Sequence, residues 1–336
     1  MKKLSLINKF LFFINSLMAT VLLLSYLFSY VSPNNIPSLA VLSLLVPVLI
    51  IINILFLIYW IIKLKKQVFL SAVVLAIGWL FTSPFYKFSE TKTLLNDDIK
   101  VMSYNVRMFN LYKWSDDEGI LEKIMRFIAD KNPDILAFQE YYDSEKINFN
   151  YPYKYIKTKS KSNKFGLALY SKYKIINSGS LDLKNTTNNI IFVDFIRKKD
   201  TIRVYNIHLE SLKINPNKEN FGEKSSEKLF KRLEKSFQKQ AFQTEQFLSH
   251  EQLFKGKQII LGDFNNTAFS WVYKQITYNK KDAFIEAGSG LGKTFNYPFP
   301  VRIDFILTDK SINIHQYKTF KVKYSDHFPI LAKINW

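Results

Sequence analysis

Cysteine is absent from the 336 residues. That excludes a disulfide framework and a thiolate zinc site, while leaving the redox compartment open. Histidine is scarce, with four in the chain, and no internal repeat is evident. Acidic residues are almost missing from the first 96 positions, where eight Lys stand against Glu90 alone, a net +7. The chain carries +19, so +12 belongs to residues 97–336. A basic domain attracts phosphates, nucleic acid or anionic lipid surfaces. A solvated Lys-rich surface gives the same count, so the sign of charge names no partner. The length allows one large globular domain with additions.

Charge is also missing from three apolar stretches, 10–31, 39–62 and 68–86. Each approaches the roughly 20 residues needed to cross a hydrocarbon core. A cleaved signal peptide would be shorter and would not be followed by two further stretches. The expectation is a membrane anchor over residues 1–86, with three transmembrane helices and the chain embedded through residues 10–86. Lys2, Lys3 and Lys9 precede the first stretch, and Lys63, Lys65 and Lys66 separate the second from the third. The positive-inside rule makes both groups cytoplasmic. Three crossings of the cytoplasmic membrane then put the rest of the chain on its outer face. The third stretch is the shortest and contains Pro84. If it does not cross, the remainder lies in the cytoplasm.

Residues 87–98 read as a polar linker, and residues 99–336 as one domain of alternating strands and helices. Strands are expected at 99–106, 134–139, 165–171, 173–180, 190–197, 201–209, 257–262, 301–308, 314–323 and 329–335. Ser115-Asp116-Asp117-Glu118 has the form of a capping box. Ile120, Ile124, Phe127 and Ile128 follow at helical spacing, and Lys131-Asn132-Pro133 ends that helix. Residues 213–225 read as a loop. Residues 226–250 read as one long helix with an apolar side and a basic side, the latter either solvated or facing an anionic surface.

Polar residues of a particular kind sit at or near the ends of these strands, with Asn105 and Asp304 lying within them. Glu140 closes Asp-Ile-Leu-Ala-Phe-Gln-Glu, and a strand-end carboxylate can bind a hard cation. Gly262-Asp263-Phe264-Asn265 follows the apolar Gln258–Leu261 run. There Asp263 can orient or deprotonate a water, and Asn265 can hydrogen-bond a phosphoryl oxygen. Gly262 is read as letting the backbone turn. His208 ends an alternating strand. Asp304 and His327 can form a carboxylate–imidazole pair, in which the acid fixes the ring tautomer. Asp326 is left for a metal.

Asn105, Glu140, His208, the GDFN run, Asp304 and Asp326-His327, in this order and with these flanks, resemble the deoxyribonuclease-I-like endonuclease/exonuclease/phosphatase superfamily across residues 99–335. The resemblance implies an α/β four-layer sandwich of two packed β-sheets flanked by helices, and Mg²⁺- or Mn²⁺-dependent cleavage of a phosphoester. By position, Asn105, Glu140 and Asp326 look like metal-site residues and Asp263 like the activator of the attacking water. Asn265 looks like a phosphate contact, Asp304 and His327 like a supporting dyad, and His208 like an acid or phosphate ligand. The expected substrate is a phosphate ester, with nucleic acid and anionic lipid as the candidates, and no obligate protein partner is inferred. A nuclease-type activity is the first expectation. Hydrolysis of phospholipid, sphingomyelin or inositol phosphate is the alternative, and a non-catalytic binding protein the second. The basic region between His208 and Asp263 is where specificity is sought.

Overall fold

The computed structural model describes residues 4–81, 85–88, 95, 97–160, 162–213 and 223–336. Four helices come first: α1 (Leu6–Ser25), α2 (Pro37–Ser43), α3 (Val46–Ile62) and α4 (Val68–Phe81). The Ser5 hydroxyl accepts from the Asn8 N–H and caps α1. The stretch expected as one helix over 39–62 is broken into α2 and α3, which meet at 48°. Pro47 explains the break, since it has no N–H to give the carbonyl one turn back. The helix α4 has 14 residues, too few to span a bilayer unaided. The expectation of three spanning helices is therefore corrected. One described helix is long and apolar enough to cross, or two when the bent pair is taken as one span. Residues 82–84, including Pro84, lie outside the described residues.

The helices α1, α3 and α4 pack together with Leu, Ile and Phe side chains exposed on their outer faces. Their polar groups turn inward. Trp60 Nε1 donates to Asn15 Oδ1 (2.8 Å), Asn15 Nδ2 to Ser71 Oγ (2.7 Å) and Ser71 Oγ to Asn53 Oδ1 (3.3 Å). An apolar outside around a satisfied polar inside is the arrangement a lipid environment favours.

Twelve strands follow. One sheet has the order β11-β12-β1-β2-β4-β3, the other β5-β6-β7-β8-β10-β9. In chain order these are β1 (Ile99–Asn105), β2 (Ile135–Tyr142), β3 (Tyr153–Thr158), β4 (Phe165–Ser171), β5 (Ile175–Ser180), β6 (Asn189–Arg197), β7 (Asp200–His208), β8 (Lys257–Asp263), β9 (Lys280–Asp282), β10 (Asp304–Asp309), β11 (Asn313–Thr319) and β12 (Ile330–Asn335). Both sheets are mixed: β1–β2 and β7–β8 pair in parallel, and their other neighbours are antiparallel. Val101, Ala137, Leu169, Val193, Val204, Ile259 and Ile306 fill the space between the sheets. The helix α5 (Ile120–Lys131) covers the outer face of the first sheet through Ile120, Ile124 and Ile128. Phe247 of α6 (Glu223–Glu251) and Val272 of α7 (Trp271–Ile276) cover the second. A one-turn α8 (Ala283–Ala287) packs against β11 and β10. The architecture is two packed sheets flanked by helices, as the motifs led one to expect.

Several local expectations are corrected. The capping box does not form: α5 starts at Ile120 behind left-handed Gly119. Asn110 holds both the N–H and the carbonyl of Ser115 in an earlier loop. The strand expected from 301 begins at Asp304. The strand β3 was not anticipated, nor were β9, α7 and α8. Residues 214–222 of the expected loop lie outside the described residues.

The helices pack against the sheets. Ala40 and Val41 of α2 meet Leu233 and Phe237 of α6, with Leu212 alongside. Phe269, four residues past Asn265, packs among Ala19, Leu22, Val46 and Leu49. Lys87 and Gly290 exchange two backbone hydrogen bonds (2.9 and 2.8 Å). The expected linker 87–98 is thus bonded at both described ends, since Asp98 also accepts from Asn335 Nδ2 (3.2 Å). Residues 89–94 and 96 lie outside the described residues.

Candidate active site

Strand pairing aligns three of the polar residues in one row. Asp263 at the end of β8 is in register with His208 at the end of β7 and with Asp304 at the start of β10. Asn105 ends β1 of the opposite sheet, and its Nδ2 donates to Asp263 Oδ2 (3.0 Å), closing the gap between the sheets. The same amide lies 3.5 Å from Glu140 Oε1. His327, just ahead of β12, holds its Nδ1 3.0 and 3.1 Å from the two carboxylate oxygens of Asp304. Its Nε2 lies 3.6 Å from Asp263 Oδ2. His208 Nε2 is 3.8 Å from Asp263 and 3.9 Å from Glu140. That Nε2 is buried and has no hydrogen-bond partner, an arrangement that leaves it available to a ligand atom.

Glu140 does not end its strand as expected: β2 runs on to Tyr142. The pairing with β4 slips between Phe138 and Tyr141, and Glu140 sits in that bulge with φ +48°. A bulge re-aims a side chain, and this one lets Glu140 meet Asn105. Nor is Gly262 a turn. The strand continues through it, and a Cβ there would fall 2.0 Å from the Ile207 carbonyl oxygen. Gly262 allows β8 to press against β7 and so sets where Asp263 stands.

Burial and mutual charge fix the protonation of the cluster. Burial disfavours charge on His327, but the carboxylates of Asp304 and Asp263 outweigh it and lift the imidazole well above its ordinary range. Burial pushes the Asp263 carboxyl up to about 7, with the His327 charge pulling the other way. Burial, helped by the His327 charge, lowers His208 to about 3, so this ring is neutral at pH 7. Glu140 is raised chiefly by burial, with His327 opposing.

The chemistry of the donors fits a hard cation. Asp263, Asp304 and His327 offer ligand atoms within 4.8 Å of one another, yet His327 is already engaged by Asp304 and Asp263 by Asn105. The Glu140 carboxylate has no Lys or Arg within ion-pair distance among the described residues. The Asn105 Oδ1 accepts from the Arg107 N–H (3.1 Å), which leaves Glu140 as the oxygen group whose buried charge a divalent ion would relieve.

All eight residues singled out in the sequence belong to this region, and Asn105 and Asp304, read as lying within strands, stand at the end of β1 and the start of β10. Two are engaged differently from expectation. Asp326 is not free, since its Oδ2 pairs with Arg107 NH1 at 2.9 Å. Asn265, left-handed at φ +49°, gives its side-chain amide to the Leu209 carbonyl (3.0 Å) while its N–H holds Asp263 Oδ1 (2.7 Å).

Other residues of the region were missed. Arg107 follows Asn105 in a left-handed turn over Arg107–Asn110, and its guanidinium also lies 4.9 Å from the Trp114 ring. Beneath the site Gln139 Nε2 donates to Asn206 Oδ1 (2.7 Å), and Asn206 Nδ2 to the carbonyls of Phe138 and Ala168. These bonds stitch the two sheets together. Buried Glu210 accepts from Thr186 Oγ1 (2.6 Å), and Gln240 bonds the carbonyls of Glu210 and Asn265. Glu210 lies in the Leu209-Glu210-Ser211 run after His208, the one signal that could have found it.

A sequence model of the endonuclease/exonuclease/phosphatase family matches residues 102–327, and one described as a domain of unknown function matches residues 8–85. No curated protein matches. Solved structures do. An endonuclease/exonuclease/phosphatase family protein from Leptotrichia buccalis is 18% identical with a TM-score of 0.50, covering 71% of this chain and 100% of its own. The human Nocturnin catalytic domain with bound sulfate is 18% identical with a TM-score of 0.53, covering 72% and 96%. A mannosyl-6-phosphatase from Bacteroides thetaiotaomicron is 17% identical with a TM-score of 0.52, covering 71% and 100%.

Proposed function

The chain belongs to the endonuclease/exonuclease/phosphatase family, a group of hydrolases acting on phosphoester bonds, and from that premise we propose that it is a Mg²⁺- or Mn²⁺-dependent phosphoesterase. The observation that carries this reading is the convergence of Asp263, Asp304 and His327 with Asn105, Glu140 and His208 at one end of the two sheets. A divalent ion bound there supplies charge stabilisation at the phosphoryl group and leaving oxygen. Glu140 would hold it, with the Asn105 Oδ1, which accepts from the Arg107 N–H (3.1 Å), and Asp326, paired with Arg107, as the neighbouring oxygen groups.

Asp263 takes the proton from the attacking water. Its raised pKa makes it a base near neutrality, and the amides of Asn105 and Asn265 fix its two oxygens. Asp304 holds the His327 ring as an imidazolium whose Nε2 faces the same space and stabilises a phosphoryl oxygen. Neutral His208 offers its unpartnered Nε2 as a further contact, and the Asn265 amide has one more hydrogen to give. Attack is in line, with no covalent enzyme intermediate.

A nuclease-type substrate is supported by the +12 charge of residues 97–336. A membrane-borne phosphoester is the second reading. It is favoured by the apolar α2, which packs at Leu212, two residues from Glu210. Orientation follows from the ends of the helices. Tyr59 OH donates to Asn8 Oδ1 (2.7 Å), so Lys9 shares an end with Lys63, Lys65 and Lys66, away from the sheets. The positive-inside rule puts that end in the cytoplasm, and a protease-accessibility assay on intact cells tells on which side the sheets lie.

The deciding experiment measures hydrolysis of DNA, RNA, sphingomyelin, inositol phosphates and bis-p-nitrophenyl phosphate by the detergent-solubilised full chain with Mg²⁺ or Mn²⁺. Asp263→Asn is expected to lower turnover on the order of 10³-fold, and chelation to abolish it. Equal turnover in wild type and variant sinks the reading. So does turnover indifferent to chelator. Binding without turnover supports a non-catalytic role.

A further inference from the structure

Between the end of α1 and the segment α7–β9–α8 lies a cavity of about 520 Å³, away from the catalytic cluster. The hydroxyls of Ser25 and Ser29 line one wall, and Lys274, Lys280, Lys281 and Lys310 the other. These lysines are not equivalent. Lys280 is held by Glu251 (2.5 Å) and Asp309 (2.7 Å), and the lining Asp282 is held by Arg302 (2.6 Å). That leaves Lys274, Lys281 and Lys310 facing one further lining carboxylate, Glu286. Lys274 Nζ lies 3.4 Å from the Tyr30 ring centroid. Lys281 reaches the Ile312 carbonyl (3.0 Å), and Lys310 the Asn279 amide oxygen (3.3 Å). None of the three has an ion pair among the described residues.

The cavity sits where the most apolar stretch of the chain gives way to the polar domain. Tyr26 and Tyr30 mark that level, as interfacial aromatics do at the headgroup zone. Three lysines against the one carboxylate of Glu286 leave an excess of positive charge at that depth, a receptor for an anionic headgroup, while the Ser25 and Ser29 hydroxyls donate to the Leu22 and Tyr26 carbonyls. The volume lies within the range of built ligand sites.

We infer that this cavity binds the phosphate of an anionic glycerophospholipid, which fastens α1 to α7 and α8. The inference rests on the reading that α1 lies in a bilayer, and that reading is tested separately by flotation of the full chain with vesicles of phosphatidylcholine alone. Failure to float overturns the membrane reading and with it the lipid. For the site itself, delipidated full chain in neutral detergent is titrated with phosphatidylglycerol or phosphatidylcholine and followed by native mass spectrometry. Phosphatidylglycerol is expected to bind at least about tenfold tighter. Combining Lys274→Ala, Lys281→Ala and Lys310→Ala should remove that preference while flotation and bis-p-nitrophenyl phosphate hydrolysis stay at wild-type levels. Equal binding of the two lipids overturns the inference, as does an unchanged preference in a variant that still floats and hydrolyses. Saturation by glycerol phosphate in the concentration range of the lipid assigns the cavity to a soluble phosphate ester and overturns the lipid.

Discussion

At Gly262 the backbone takes φ +146°, and the Ile207 carbonyl stands where any side chain would begin. Gly262→Ala is expected to cost about 3 kcal/mol or more, since overpacking and a conformation reserved for glycine act together. Chemical denaturation of the full chain checks this. His208 gives a pH-dependent expectation. Its folded pKa of about 3 lies below its ordinary 6.5, so the unfolded chain binds the extra proton first. Stability from this residue is full above pH 6.5 and declines as pH falls towards 3. In chelator, His208→Asn should flatten the fall in Tm between pH 6.5 and 4.5, and an unchanged slope refutes it. The motif residues were legible because each interrupts an apolar strand with a polar end. Their partners were not. Arg107 and Gln139 acquire roles only through contacts with residues distant in sequence, to which a strand pattern is blind.

At the scale of elements, the strands that carry the site were legible to within a few residues, because a strand buried on both faces reads as an apolar run. The edge strand β3 was not, since its half-exposed Tyr-Lys-Tyr-Ile-Lys-Thr lacks that run. The bulge in β2 is invisible in sequence, yet it decides where Glu140 points. The helix α6 has two duties one turn apart. Phe237 is buried against α2, and Gln240 holds the loops that carry Glu210 and Asn265. Phe237→Ala is expected to destabilise the chain by about 3–5 kcal/mol and also to raise KM for the assay substrate. A stability loss with unchanged kinetics would separate α6 packing from the site.

For the whole molecule, composition divides an apolar beginning from a basic remainder. It could not count crossings, because hydropathy does not see Pro47 break a helix or α4 stop after 14 residues. It also gave no hint that the helices and sheets share a core at Phe269. Cutting the chain between them is expected to expose the Phe269 and Phe237 surfaces. Residues 97–336 alone should therefore aggregate more readily than the full chain, as light scattering at matched concentration will reveal.

The two hydrogen bonds between Lys87 and Gly290 have a mechanical consequence. Gly290 lies four residues before Thr294, whose hydroxyl accepts from the backbone N–H groups of Ile303 and Asp304 (3.0 and 3.1 Å). A pull on Lys87 thus reaches Asp304 through hydrogen-bonded main chain. A molecule strained at Lys87 would carry that strain to Asp304. Its turnover of a soluble phosphodiester should shift between vesicles of short-chain and long-chain phosphatidylcholine, as bilayer thickness loads the helices. Gly290→Pro removes the N–H and cannot adopt the φ of +74° found there, so in that variant the dependence should vanish.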